Sequence, residues 1–183
     1  VGLALPAASV EPVCTYLELV KVWGLRTNLT AAGDEAARVR VLVEPAVEAM
    51  EWVEGPDLVD VGSGNGSPGL VLALLRPELS VTLLEPRLKR WAFLRDAVRR
   101  LGRGDVHVVR ARHDGHGGPP AQSVTVRALR LRPGELRHLV RPGGRVLILG
   151  RSPAPEPDFQ REEGLKSPRL HVFRRSGEGP RST

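Results

Sequence analysis

The sequence predicts an α/β fold in which a mostly parallel, doubly wound sheet follows a helical cap. Three observations predict it. From Asp57 onward, short apolar runs of strand type alternate with helical segments, the pattern of parallel strands joined by crossover helices. The first run, Leu58-Val59-Asp60-Val61, ends in a glycine turn, Gly62-Ser63-Gly64-Asn65-Gly66-Ser67-Pro68-Gly69, that opens a helix. Two segments with helical periodicity come before it. The expected division is a cap over residues 1–55, a sheet domain over 56–176 and a frayed tail over 177–183.

In chain order, residues 9–24 carry Val13, Tyr16, Leu17, Val20 and Trp23 at helical spacing, with Ser9 as expected cap and Pro12 in the first turn. Residues 25–30 are a polar break. Residues 34–53 are helix-like, capped by Asp34, and Pro45 should kink or divide that helix. The strand at 58–61 leads through the glycine turn to a helix ending before Pro77, with Pro68 expected in its first turn. A strand at 79–85 precedes an amphipathic helix at 88–102, striped by Trp91, Leu94, Val98 and Leu101, with Gly102 as its stop. Strands follow at 106–111, 123–129, 145–150 and 170–176, with a short helix at 133–140. Residues 151–169 are polar and Pro-rich and suit a lid, a linker or a disordered segment.

Composition narrows the function classes. The 183 residues hold 27 Lys and Arg against 21 Asp and Glu, a formal charge of +6, with pI about 10.6. An arginine-rich excess suits an anionic partner such as RNA, or a codon bias towards Arg. The single cysteine, Cys14, excludes an intrachain disulfide and is expected to be a small buried hydrophobe. The five histidines are scattered, so no metal site is expected. No apolar run reaches membrane-spanning length. No basic leader precedes the apolar N-terminus, so the expectation is a cytoplasmic protein, monomeric and away from membranes.

The glycine turn points to a nucleotide-like cofactor. Glycine lets backbone approach a ligand closely and adopts positive φ without strain. In doubly wound sheets, ligands bind beyond the carboxyl ends of the strands where strand order reverses. Two cofactors compete. Gly64-x-Gly66-x-x-Gly69 matches the dinucleotide fingerprint, and Glu85 lies 19 residues after Gly66, where a ribose-binding acid belongs. Alternatively, Asp60-x-Gly62-x-Gly64-x-Gly66 resembles motif I of class I S-adenosylmethionine-dependent methyltransferases. That resemblance implies that Asp60 organises the loop, that Glu85 accepts from both ribose hydroxyls, and that His113 and Asp114, after the third strand, flank the adenine. The helical cap suits the second reading, since a dinucleotide fold usually opens on its first strand.

Several further motifs resemble one family. Tyr16-Leu17-x-Leu19-Val20-x-x-Trp23 with Asn28-Leu29-Thr30 is similar to the opening signature of the small-subunit ribosomal RNA methyltransferase G family, also called glucose-inhibited division protein B. Asp60 to Gly69, with its Ser67-Pro68-Gly69, resembles that family's cofactor loop. Leu83-Leu84-Glu85-x-x-x-Lys89-Arg90-x-x-Phe93-Leu94 resembles its second strand and helix, and Arg127-Ala128 its Arg-Ala at the end of the fourth strand. The resemblance covers about residues 13–150. It implies S-adenosylmethionine as cofactor, held by Asp60, Gly62, Gly64, Gly66, Ser67, Glu85, His113, Asp114 and Arg127. It implies 16S rRNA or the small ribosomal subunit as partner, and methyl transfer to guanine N7.

On that resemblance Arg127 is the candidate catalytic residue, a planar bidentate donor to a phosphate or base edge; a salt bridge to Asp114 or Glu85 is its alternative role. Arg26, Asn28, Lys89 and Arg90 are the candidate substrate contacts, although the basic run Lys89, Arg90, Arg95, Arg99 and Arg100 also suits a plain solvated helix face. The chain departs from the family at Arg40-Val41-Leu42-Val43-Glu44-Pro45, which lacks a histidine and has Glu44 for aspartate. It departs also at Ile148-Leu149-Gly150, which lacks a lysine, and at Gln122-Ser123, which lacks an aspartate. A small-molecule methyltransferase of the same fold, and a paralogue that binds without turnover, remain the alternatives.

Overall fold

The computed structural model describes residues 4–154 and 156–177. Helix α1 spans Val10–Gly24 and buries Val13, Tyr16, Leu17, Leu19 and Val20. That stripe turns Cys14 to the opposite face, where it is exposed rather than buried. Ser9 lies in a 3₁₀ turn, Ala7–Ser9, and its side chain makes no capping bond. Asp34 caps as expected, accepting from the Ala37 N–H at 2.7 Å.

The second cap segment is divided as expected, but ahead of Pro45 rather than at it. Helix α2 (Glu35–Arg38) passes through a wide π-type turn, Val39–Val43, into α3 (Glu44–Met50), whose second residue is Pro45. Proline has no N–H to offer the carbonyl four residues before it, which is that of Val41. The freed carbonyl is taken by a side chain of the sheet domain, described below.

The sheet has seven strands in the order β3-β2-β1-β4-β5-β7-β6. Strands β1 (Asp57–Val61), β2 (Ser80–Leu84), β3 (His107–Val109), β4 (Ala121–Arg127) and β5 (Val140–Leu149) are parallel. Strand β7 (Leu170–Arg175) pairs antiparallel with β5, and β6 (Phe159–Arg161) antiparallel with β7. Strand β6 lies within the Pro-rich stretch, so part of 151–169 is an edge strand. Strand β5 starts earlier than expected. Ala121 pairs with Val140 and Ser123 with Arg145, so Arg141–Gly144 bulges within the strand instead of preceding it as a turn. Of the expected tail, all but Gly177 lies outside the described residues.

Helix α4 (Gly69–Leu75) is buried along its whole length, and α5 (Leu88–Arg100) buries Phe93, Leu94, Ala97 and Val98. The buried stripe of α5 is therefore rotated towards Phe93, leaving Trp91 and Leu101 half-buried. Phe93 meets Trp23 edge-on at 5.8 Å between ring centroids, and the Trp23 indole donates to Asp96 at 3.1 Å, which docks the cap on α5. One core joins the cap, α4 and α5 to a sheet face; the other face packs on a 3₁₀ segment, Pro133–Leu139, through Val124, Val126, Leu136 and Phe173. Alternation along β1 sends Leu58 and Asp60 to the helix side, Val59 and Val61 to the other. Strand order reverses between β1 and β4, at whose carboxyl ends the glycine turn and Arg127 meet.

Candidate active site

Gly62, Gly64 and Gly66 all have positive φ, at 69°, 52° and 93°, which explains their number in so short a turn. The Gly62 and Ser63 N–H groups donate to the Leu84 carbonyl at 2.8 and 3.0 Å, stitching the turn to the end of β2. Helix α4 starts at Gly69, one residue after Pro68, and the Ser67–Pro68 peptide is cis. Tyr16 is fully buried under the turn and donates its hydroxyl to the Asn65 carbonyl at 2.9 Å. Burial holds the Tyr16 hydroxyl in its protonated, donating form, well above its ordinary pKa. Asn65 in turn donates to the Leu29 carbonyl at 2.9 Å. The cap thus props the turn from beneath.

Asp60 lies under the turn and is 1 % exposed. Thr125 on β4 donates to its Oδ1 at 2.6 Å. Oδ2 has no hydrogen-bond partner of ordinary geometry among the described residues and rests against the Gly69 backbone. Burial pushes the Asp60 carboxyl above the usual carboxylate range; Thr125, Ser63, the Arg127 charge and the Gly69 N–H oppose that push. Gly69 leaves room for this side chain: an added Cβ would stand 2.4 Å from Asp60 Cβ. Gly69→Ala is therefore expected to destabilise the chain by about 2–3 kcal/mol through overpacking. A urea midpoint equal to that of the wild type would contradict this packing.

Glu85, 3 % exposed, closes the floor next to the turn. Its Oε2 accepts from the Gly64 N–H at 2.9 Å and its Oε1 from the Arg87 N–H at 2.8 Å. Each oxygen keeps a second acceptor site. Above it opens a cleft of about 440 Å³, lined among others by Gly62, Glu85, Arg90, His113, Arg127 and Leu129. That is ample room for a nucleoside-sized ligand. The residues present fit S-adenosylmethionine: a carboxylate with spare acceptor sites, a glycine turn at the wall, and an unpartnered buried carboxylate oxygen beneath it.

Arg127 does not take up the salt bridge expected as its alternative role. It pairs with neither Asp114 nor Glu85. Its Nη1 donates to the freed Val41 carbonyl at 2.8 Å and to Ser67 Oγ at 2.7 Å. Ser67 Oγ donates onward to the Leu42 carbonyl at 2.7 Å. Ser67 thus links turn, cap and β4. The next residue, Ala128, has φ 58°, a left-handed conformation unusual for a residue other than glycine. Arg127 and Ala128 line two cavities, the Gly62–Glu85 cleft and a second one of about 490 Å³ against the cap.

The other sequence candidates are distributed unevenly. His113 lines the cleft, whereas Asp114 is exposed beside it and pairs with Arg112 at 3.3 Å. Arg90 lines the cleft and donates to the Asn28 carbonyl at 3.2 Å, so Asn28 meets the site through its backbone. Lys89 and Arg26 are exposed, and neither lines the cleft. On α5, Arg99 and Arg100 pair with Asp96, and Arg95 lies over Trp91. Sequence reasoning missed Thr125, Leu129 and the rim arginines Arg87, Arg112 and Arg130. A polar residue amid the apolar run of β4 was the one signal for Thr125.

Comparison with known proteins identifies the family. The family model described as rRNA small subunit methyltransferase G matches residues 10–167. The ribosomal RNA small subunit methyltransferase G of Alkalilimnicola ehrlichii is 39% identical over 160 residues, covering 85% of this chain and 73% of that protein. Its counterpart in Xanthomonas euvesicatoria pv. vesicatoria is 35% identical over 150 residues, covering 80% and 71%. Among solved structures, an RNA methyltransferase from Salinibacter ruber in complex with S-adenosyl-L-homocysteine shares the fold. Its TM-score is 0.57 at 19% identity, over 76% of this chain and 94% of that one. The chain belongs to the rRNA small subunit methyltransferase G family.

Proposed function

We propose that this chain transfers a methyl group from S-adenosylmethionine to the 16S rRNA of the small ribosomal subunit, with guanine N7 as the acceptor atom. Family membership over residues 10–167 carries the reading. The geometry supports it with two cavities that share one wall, as a two-substrate transfer requires.

Bound S-adenosylmethionine supplies an electrophilic methyl group on sulfur. On this reading Glu85 accepts from the cofactor's hydroxyls, the Gly62–Gly66 turn walls the cleft closely, and His113 flanks the adenine. Guanine N7 carries a free lone pair, so the transfer needs no general base. Catalysis is then positional: nucleophile, methyl carbon and sulfur must be held in line. Arg127 is the residue whose bonds to Val41 and Ser67 hold cap, turn and β4 in one arrangement. Arg87, Arg112 and Arg130 on the rim offer phosphate contacts, with Lys89 and Arg26 further out. No helix among the described residues is long and apolar enough to cross a membrane.

Mass spectrometry of 16S rRNA tests this reading. Cells lacking the chain are expected to lose one N7-methylated guanosine, restored by the wild-type chain. An unchanged methylation pattern would remove the rRNA reading. Transfer by purified protein is also expected to weaken steeply with salt, as phosphate contacts release counterions.

A further inference from the structure

Across the Arg127–Ala128 ridge from the cofactor cleft, the second cavity is walled on the cap side by Glu44, Pro45 and Glu48 of α3. Leu149 at the end of β5 and the Ser167–Leu170 segment line its other side. Arg40 and Arg169 line it as well. Glu44 is half-buried, and its carboxylate has no hydrogen bond or ion pair among the described residues. Glu48 of the same cavity also lacks a partner among those residues but is exposed, whereas the half-buried Glu54, Asp57, Asp96 and Glu162 are all held by arginines. The Glu44 oxygens are left as acceptors that no donor among the described residues occupies, open to a ligand that brings donors of its own.

We infer that this cavity receives the acceptor guanosine, and that Glu44 accepts from its N1–H and N2–H. The inference rests on the rRNA reading above. A base that undergoes chemistry must leave its stack and be read in a pocket by its Watson–Crick edge. On guanine that edge presents two adjacent donors, which one carboxylate accepts together in a charge-assisted pair. Adenine presents an acceptor at N1 and repels the same carboxylate. N7 lies on the far side of the purine. A guanine held by Glu44 at the cap wall therefore turns N7 towards the Arg127–Ala128 ridge and the cofactor cleft beyond it. Val41, Pro45 and Leu149 give the ring apolar contact, and Arg40 and Arg169 suit the flanking phosphates.

The test compares guanosine with inosine, which lacks the N2 amino group, at the position where mass spectrometry places the methyl group. With small subunits as substrate, wild-type protein is expected to methylate inosine at least about tenfold more slowly, because a site built to accept that hydrogen rejects its absence. Glu44→Gln is expected to lose at least about tenfold on guanosine, to treat the two bases alike, and to bind S-adenosylmethionine as the wild type does. Glu44→Gln protein that transfers at the wild-type rate, or that discriminates as strongly as wild type, overturns the assignment and leaves the rRNA reading intact. Wild-type protein that transfers no methyl group to small subunits removes the rRNA reading, and this inference with it.

Discussion

Arg127→Ala is expected to lower the turnover of methyl transfer about a hundredfold while leaving cofactor affinity within a few-fold of wild type. One guanidinium nitrogen holds the Val41 carbonyl of the cap and the Ser67 hydroxyl of the glycine turn together. Without it, the wall shared by the two cavities loses its fixed relation to both. A displacement of about 1 Å suffices for an effect of that size in a reaction that depends on alignment alone. The loss also leaves the Val41 carbonyl unpaired and removes the cation nearest Asp60, so stability should fall by about 2 kcal/mol. Lysine is expected to restore turnover only in part, since its ammonium can reach both acceptors but sits on a flexible stem that holds the wall less rigidly. Steady-state rates on small subunits, calorimetric cofactor titration and urea melts separate the terms. Full turnover in Arg127→Ala would refute the positional role; equal losses in turnover and cofactor affinity would show a collapsed site.

Gly62→Val is expected to weaken S-adenosylmethionine binding about a hundredfold, the largest cofactor effect predicted for this site. Two causes combine. The φ of 69° is left-handed, which costs a residue with a Cβ about 1–2 kcal/mol, and a β-branched one more. A Cβ there would also stand 2.5 Å from the Leu129 side chain. Leu129 is 44 % exposed and lines the cleft, so the clash resolves by pushing an apolar side chain across the cofactor's space. Gly62→Ala should show the same direction with a smaller loss. Calorimetry with S-adenosylmethionine reads both, and unchanged affinity in Gly62→Val would show that the cofactor does not approach this wall. The contrast with Gly69 is instructive. Its neighbour is the buried Asp60, which cannot retreat, so substitution there should lower stability first.

Much of the architecture was legible because the signals are local. Alternating apolar runs marked five parallel strands, and glycine spacing marked the turn; each follows from how neighbouring residues sit along one element. Glu85 was found for the same reason, at the end of a strand that the turn's own spacing predicts. Resemblance to the family supplied Arg127 as a residue of interest, although bonds to Val41 and Ser67 stand where a salt bridge was the alternative. Cys14 was misplaced because apolar neighbours in sequence were read as neighbours in space, whereas the helix turns it outward. Strand β6 escaped notice since its three residues, Phe159–Arg161, carry no periodicity and owe their pairing to β7.

The contacts that define the candidate site join residues far apart in the chain. Thr125 reaches Asp60 only because β4 lies beside β1. Arg127 reaches Val41 only because a proline removes one donor in the cap and a wide helical turn presents the idle carbonyl. Glu44 faces an open cavity because the end of β5, the start of β7 and the segment before it form the other wall. Patterns along one element are written in its own residues, so the chain alone carries the strands, the turn and their order of succession. Which carbonyl is left over, which carboxylate stays unpaired and which two cavities share a wall depend on how distant segments settle against each other. Burial and hydrogen-bond competition set these outcomes only when the whole chain has packed.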